Sequence, residues 1–329
     1  PPVSVAGLPR FTGGAVGYLG YDIVRTIESL PHAPPDDRDL PDAIMMVTDT
    51  LVVLDNLYNR ATVIANVEVP EKAGEAELRR LFRVAEATIE DWLARLAEPG
   101  TTRPLALEER PPLPIAGSPY ADDRFQDDVR RIKEYIAAGD TFQTVLSRRL
   151  EVAAPDPFLT YRYLRALNPA PYLYYLHCDD THIIGSSPEI LIRVEEGEVT
   201  LRPIAGTRPR GGTAEEDAAL AGELRKSEKD RAENVMIVDL ERNDLGKVCV
   251  TGSVHVSALC EVTSHSNVHH LISRVEGRLR GDAGPVDVLR AMFPGGSVTG
   301  APKIRSIEVI DELEPVRRGL YTGAIGYWD

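Results

Sequence analysis

Between positions 172 and 202 the chain runs through four short β-rich stretches, residues 172–177, 182–185, 190–194 and 199–202, with only a few residues between each. Connections that short close hairpins, whereas a crossover between parallel strands takes a dozen residues or more. An antiparallel sheet is therefore expected, and with the helices described next the class is α+β and not a doubly wound parallel sheet.

Leu78, Leu81, Phe82, Ala85, Ile89, Leu93 and Leu96 fall on one helical face, a stripe that packing against a core explains. Ser118 opens a second helix, with Phe125, Val129, Ile132 and Ile136 on one side and Gly139 at its stop. Residues 44–54 and 62–69 read as a hairpin, 142–152 as a strand, and 159–167 as a short helix closed by Asn168-Pro169. The glycine-dense run 11–22 suits a strand with bulges. From 98 to 118 the chain is proline-rich and aperiodic, a surface crossing that divides it into 1–117 and 118–329.

A net charge of -14 disfavours nucleic acid or an anionic membrane as partner. A small anionic substrate remains compatible with it, because a metal and nearby arginines reverse the field within a cleft. Cys178, Cys249 and Cys260 are scattered, without ligand spacing, which points to a reducing cytoplasm. No apolar run approaches ~18 residues, and no signal peptide opens the chain. It begins Pro1-Pro2 without Met and stops at Asp329 within an apparent strand, so both ends are expected to be cut.

Chemistry concentrates in residues 201–246. Leu201 to Gly212 joins a β-like run to glycines that let backbone N–H groups approach an anion. Thr213 and Glu216 have capping-box spacing for one helix, and Ser227 to Asp230 opens another. On that second helix Asp230 and Glu233 lie one turn apart, hard oxygen ligands that suit Mg²⁺. Acids at a helix start also serve simply to favour the dipole and stay solvated, and spacing alone leaves both readings open. Glu189, in Ser186-Ser187-Pro188-Glu189, ends a strand where a lone acid is ordinarily a solvated turn residue. His269 and His270 adjoin in an apparent strand and so point to opposite faces. Gly295 to Lys303 invites a phosphate-loop reading, which fails because Ala301-Pro302 follows Gly300 where that loop needs Lys and then Ser or Thr.

The strings Pro203-Ile204-Ala205-Gly206-Thr207-Arg208, Asp230-Arg231-Ala232-Glu233-Asn234 and Val238-Asp239-Leu240-Glu241-Arg242-Asn243-Asp244 resemble the chorismate-utilising enzymes. Within that family the chain looks most like the large subunits of anthranilate synthase and aminodeoxychorismate synthase. The resemblance implies two facing antiparallel sheets with helices outside and the active site between them. It implies that Glu189 is the general acid for loss of hydroxide and that His270, not His269 or His265, is the catalytic histidine. It implies that Gly206 and Thr207 hydrogen-bond the substrate carboxylate or the charge developing beside it. It also implies that Glu233, helped by Asp230, holds Mg²⁺ against that carboxylate.

Members that add water to the ring carry a lysine where this chain has Gln143, so Gln143 points to the ammonia-using branch. Aminodeoxychorismate synthases place a nucleophilic lysine where this chain has Ala205, whereas anthranilate synthases have alanine. Ala205 therefore favours anthranilate. In contrast, the flanks Glu233-Asn234, His269-His270-Leu271 and Phe293 to Lys303 look closer to aminodeoxychorismate synthases. Asn168-Pro169-Ala170-Pro171-Tyr172 resembles part of a tryptophan feedback pocket. The implied reaction converts chorismate and ammonia to anthranilate and pyruvate, the ammonia coming from a glutamine amidotransferase subunit. The competing reading is a catalytically silent regulatory relative, against which Glu189, Glu233 and His270 stand intact.

Overall fold

The computed structural model describes residues 7–106, 114–153 and 156–329. Residues 107–113 of the proline-rich crossing, and the first residues of the chain, lie outside the described residues.

The chain forms two compact units. The smaller takes in residues up to Leu19, Ala43–Ala106 and Ile325–Asp329, and the larger Gly20–Asp42 and Leu107–Ala324. This division differs from the one read at 117/118, because residues 20–42 are fastened into the larger unit. Tyr21 and Val24 pack with Phe293 and Ile307 in a buried cluster, and the Arg25 guanidinium grips both oxygens of Asp311 at 2.7 and 2.8 Å.

In the smaller unit the apparent hairpin over 44–69 resolves differently. Residues 44–54 split into Ala43–Thr48, which pairs with Gly14–Leu19, and Thr50–Asp55, which pairs with Arg60–Ala65. The helix Glu75–Ala97 forms as its periodicity predicts, yet no residue in it is fully buried. Its apolar stripe is not explained by core packing: Leu78, Phe82, Leu93 and Leu96 are exposed, Phe82 to 67%. A two-stranded hairpin is too narrow to cover a six-turn helix.

The larger unit is built on a five-stranded sheet made of Arg193–Glu195, Glu198–Leu201, Ile204–Pro209, His255–Ser264 and Val268–Arg278. Its pairings are antiparallel throughout; short connections account for Arg193–Glu195 with Glu198–Leu201 and for His255–Ser264 with Val268–Arg278, whereas Glu198–Leu201 and Ile204–Pro209 reach Val268–Arg278 from far away in the chain. Val268–Arg278 is the organising strand, pairing with three others. The first two β-rich stretches make a separate hairpin, Tyr172–Cys178 with Thr181–Ser187. Residues 142–152 do not form one strand. Only Gln143–Thr144 and Glu151–Val152 pair, because the backbone between is claimed by other groups: Val145 N–H by Thr299 O, and Ser147 N–H by the Glu314 carboxylate at 2.8 Å. A short strand, Ile115–Gly117, ends the proline-rich stretch by pairing with Glu151–Val152.

The second predicted helix starts later than Ser118, at Asp122, because the Ser118 hydroxyl accepts the Tyr120 N–H in a turn ahead of it; Gly139 ends it in the left-handed region. Thr213 and Ser227 cap the helices Ala214–Lys226 and Glu228–Gly246 by accepting the N–H groups of Glu216 and Asp230. Glu228–Gly246 packs on the sheet through Val238 and Leu245, in a cluster with Val199, Leu201, Val275 and Met292.

Candidate active site

Ile204–Pro209 is where the predicted residues meet. Its pairing with Val268–Arg278 skips a residue between Ile204 and Thr207, a bulge that Gly206 absorbs at φ 101°. A β-carbon there would lie 2.9 Å from Asp230 Cβ and 3.0 Å from Leu224 Cδ1, so only glycine lets the metal-candidate helix approach this strand so closely.

Glu189 reaches the same strand from the end of the neighbouring hairpin. Its carboxylate accepts the Ile204 N–H at 3.3 Å and a hydrogen bond from the Ser297 hydroxyl. Burial pushes its pKa up to about 7, only partly offset by those two donors. A carboxyl poised near neutrality both holds a proton at working pH and gives it up readily.

On the other side of the bulge, Thr207 pairs with His270 and their side chains meet, Thr207 Oγ1 to His270 Nδ1 at 3.0 Å. Burial holds the His270 pKa below the ordinary histidine value; the neighbouring His265 pushes in the same direction, and a backbone hydrogen bond to Gly206 opposes them. A neutral imidazole at pH 7 is a base ready to accept a proton. His265, set aside in the sequence, lies edge-on to His270 with ring centroids 5.4 Å apart.

His269 faces the opposite way and is buried. It bridges Ser264 and Asp217 at 2.9 Å each, while Arg210 clamps the same aspartate. Arg210 and the Gly211 N–H hold the Asp217 pKa far below the usual range, so the carboxylate stays ionised and His269 is fixed between it and Ser264. This cluster fastens the glycine turn to the strand behind His270.

Glu233 is half-buried, and its Oε1 accepts a hydrogen bond from Gln143 Nε2 at 3.0 Å. Gln143 is itself fixed by pairing with Ala301 and by Ser306, whose hydroxyl donates to its carbonyl. Asp230 is bound by Arg208 at 3.0 Å, so its charge is already compensated and it is the poorer cation ligand. Among the described residues no group of three or more His, Cys, Asp or Glu gathers as a metal cage. The donor set still fits Mg²⁺, which takes one or two carboxylates and fills its other positions with water and substrate oxygens. Ala205 lies within the bulge, next to the Glu189 contact at Ile204, and is buried.

Sequence reasoning missed Arg208, Ser297, His265 and Glu241. Arg208 stood inside a quoted motif and Ser297 inside a rejected one. Nothing local marked His265 as a neighbour of His270.

A family model described as chorismate binding enzyme matches residues 3–329. The chain belongs to the chorismate-binding enzymes. It is 45% identical to anthranilate synthase component 1 of Pseudomonas putida, covering 98% of this chain and 65% of that protein. It is 43% identical to aminodeoxychorismate synthase component 1 of Bacillus subtilis, covering 97% of this chain and 66% of that one. The solved anthranilate synthase component I of Streptococcus pneumoniae superposes with a TM-score of 0.85 at 37% identity, over 98% of this chain and 70% of that chain. The chain thus spans a little under two-thirds of the length of the curated relatives it matches, 65% of the Pseudomonas protein and 66% of the Bacillus one. The α+β class expected from the sequence holds. No helix among the described residues is long and apolar enough to cross a membrane.

Proposed function

We propose that this chain carries the aminating site of an anthranilate synthase large subunit, which converts chorismate and ammonia to anthranilate, pyruvate and water. One observation carries the proposal: a buried acid poised near neutrality and a neutral histidine both contact a single bulged strand, at Ile204 and Thr207, with the small, inert Ala205 between those two positions along the chain.

Ammonia attacks the ring beside the carboxylate as Glu189 protonates the departing hydroxyl, since hydroxide alone is a poor leaving group. His270 then takes the ring proton, the enolpyruvyl group leaves as pyruvate and the ring aromatises. Thr207 orients the imidazole through its hydroxyl. Glu233 would hold Mg²⁺, positioned by Gln143, with Asp230 tied to Arg208 beside it; when bound, the ion supplies charge to bind the substrate carboxylate. Gly206 and Thr207 offer backbone groups to that carboxylate. A partner that hydrolyses glutamine delivers the ammonia, and the cytoplasm is the compartment.

The second reading is aminodeoxychorismate synthase, favoured by the Bacillus subtilis relative. It aminates the far side of the ring and leaves the enolpyruvyl group in place until a separate lyase acts. Chorismate, ammonia and Mg²⁺ supplied to the full-length protein are expected to give a fluorescent product and pyruvate together. Chorismate consumption with neither signal until a lyase is added would establish the second reading. In the same assay Glu233→Ala is expected to raise the Mg²⁺ requirement at least tenfold, on the order of 1.4 kcal/mol of binding. An unchanged Mg²⁺ dependence would remove Glu233 from the metal site.

A further inference from the structure

The helix Glu228–Gly246 buries a stripe formed by Asn234, Ile237, Val238, Glu241, Asp244 and Leu245. The spacing is that of one helical face, and it sets three polar side chains among apolar ones. Two of them are engaged. Asn234 donates to the Leu271 carbonyl at 3.1 Å and accepts from the Ser273 hydroxyl, and Asp244 is bound by Lys247 and Lys303.

Glu241 is not engaged in this way. The residue is only 8% exposed, and its Oε2 is buried with no hydrogen-bond partner. The charges acting on it, strongest first, are Glu189, Lys303 and Asp244. The cation among them is already committed, because Lys303 Nζ donates to Asp244 and to the Met292 carbonyl at 2.8 Å. The Gly296–Thr299 helix, which lies against Leu240 through Gly296, adds no charged group. A carboxylate buried beside a second carboxylate, without a donor or a free cation, takes up a proton instead of staying charged.

We propose that Glu241 is a positioning residue that stands behind Glu189 as a neutral carboxylic acid, its buried O–H supplying a dipole that favours the carboxylate Glu189 becomes on giving up its proton. This rests on reading Glu189 as the acid of the reaction. Burial first, and then Glu189, push the Glu241 pKa well above the usual carboxylate range, while Lys303 opposes them. The two groups titrate as a pair that carries one negative charge at most near neutral pH. Glu189 thus works as an acid without a second anion beside it.

The test uses the full-length protein, and its first arm needs no substrate. Infrared difference spectra taken across a pH titration are expected to show a protonated-carboxyl band that persists at about pH 8, survives in Glu189→Gln and is lost in Glu241→Gln. In the second arm, kcat/KM is followed against pH. Glu241→Gln, whose amide keeps a neutral donor, is expected to leave the alkaline limb in place. Glu241→Leu is expected to move it up by about one unit and to lower kcat about tenfold.

A wild-type spectrum without the band at about pH 8 would overturn the proposal. So would a downward shift of the limb by about one unit in Glu241→Gln, the result of removing a real charge beside Glu189. Profiles superposing for all three proteins would also overturn it. If Glu241→Leu does not fold, the glutamine variant and the spectra decide. If no protein turns over chorismate, the proposed function fails while the infrared arm still answers for Glu241.

Discussion

Glu189→Gln is expected to slow chorismate consumption by about 10²–10⁴-fold, the usual contribution of a positioned general acid, without loss of folded protein. The amide oxygen still accepts the Ile204 N–H, so the main contact survives while the transferable proton does not. The same variant carries a stability signature of definite sign. With its folded-state pKa raised to about 7 from 4.5, the native glutamate contributes stability that is fully present below about pH 4.5 and is lost as pH rises through about 7. Glutamine has no such loss. Thermal or denaturant unfolding at about pH 8 should find the variant more stable than the parent by up to about 3 kcal/mol, and at about pH 4 no more stable. A full-rate enzyme, or a variant destabilised at pH 8, would remove Glu189 from the role of buried acid.

His270→Gln is expected to separate the two halves of the reaction. Amination needs Glu189 and not the imidazole, so chorismate should still be consumed while pyruvate release and fluorescence fall by about 10²–10⁴-fold. An aminated ring that retains its enolpyruvyl group should accumulate and be visible by mass. In the parent protein the acidic limb of pyruvate release should lie below the ordinary histidine value of 6.5, because burial and then His265 disfavour the imidazolium. Replacing His265 by Phe takes away one of those influences, and the limb should move up towards that value. If pyruvate release and chorismate consumption fall together in His270→Gln, the histidine acts at the first step and the assignment of roles is wrong.

Much of the site was legible in the linear chain because its residues sit in contiguous strings. Glu189 ends a short β-rich stretch, Ala205 to Arg208 form one strand, and Asp230 and Glu233 follow a serine cap that the structure retains. The antiparallel pairing of strands joined by a few residues was equally legible, since a connection that short forbids a parallel crossover. Capping, helical spacing and strand alternation act within a few residues, and a sequence displays all of them.

Other features depend on groups distant in the chain. The Ser297 hydroxyl on Glu189 and the Gln143 amide on Glu233 each come from about a hundred positions away. No local pattern announces them. Burial belongs to the same class. Phe82 sits on a helical stripe that the sequence shows plainly and Glu241 on a helix face that it does not single out, yet the first is exposed and the second buried. The sequence determined which groups could act as acid, base and ligand, through local spacing. Only tertiary packing decided which were desolvated, and desolvation sets their proton affinities and hence their chemistry.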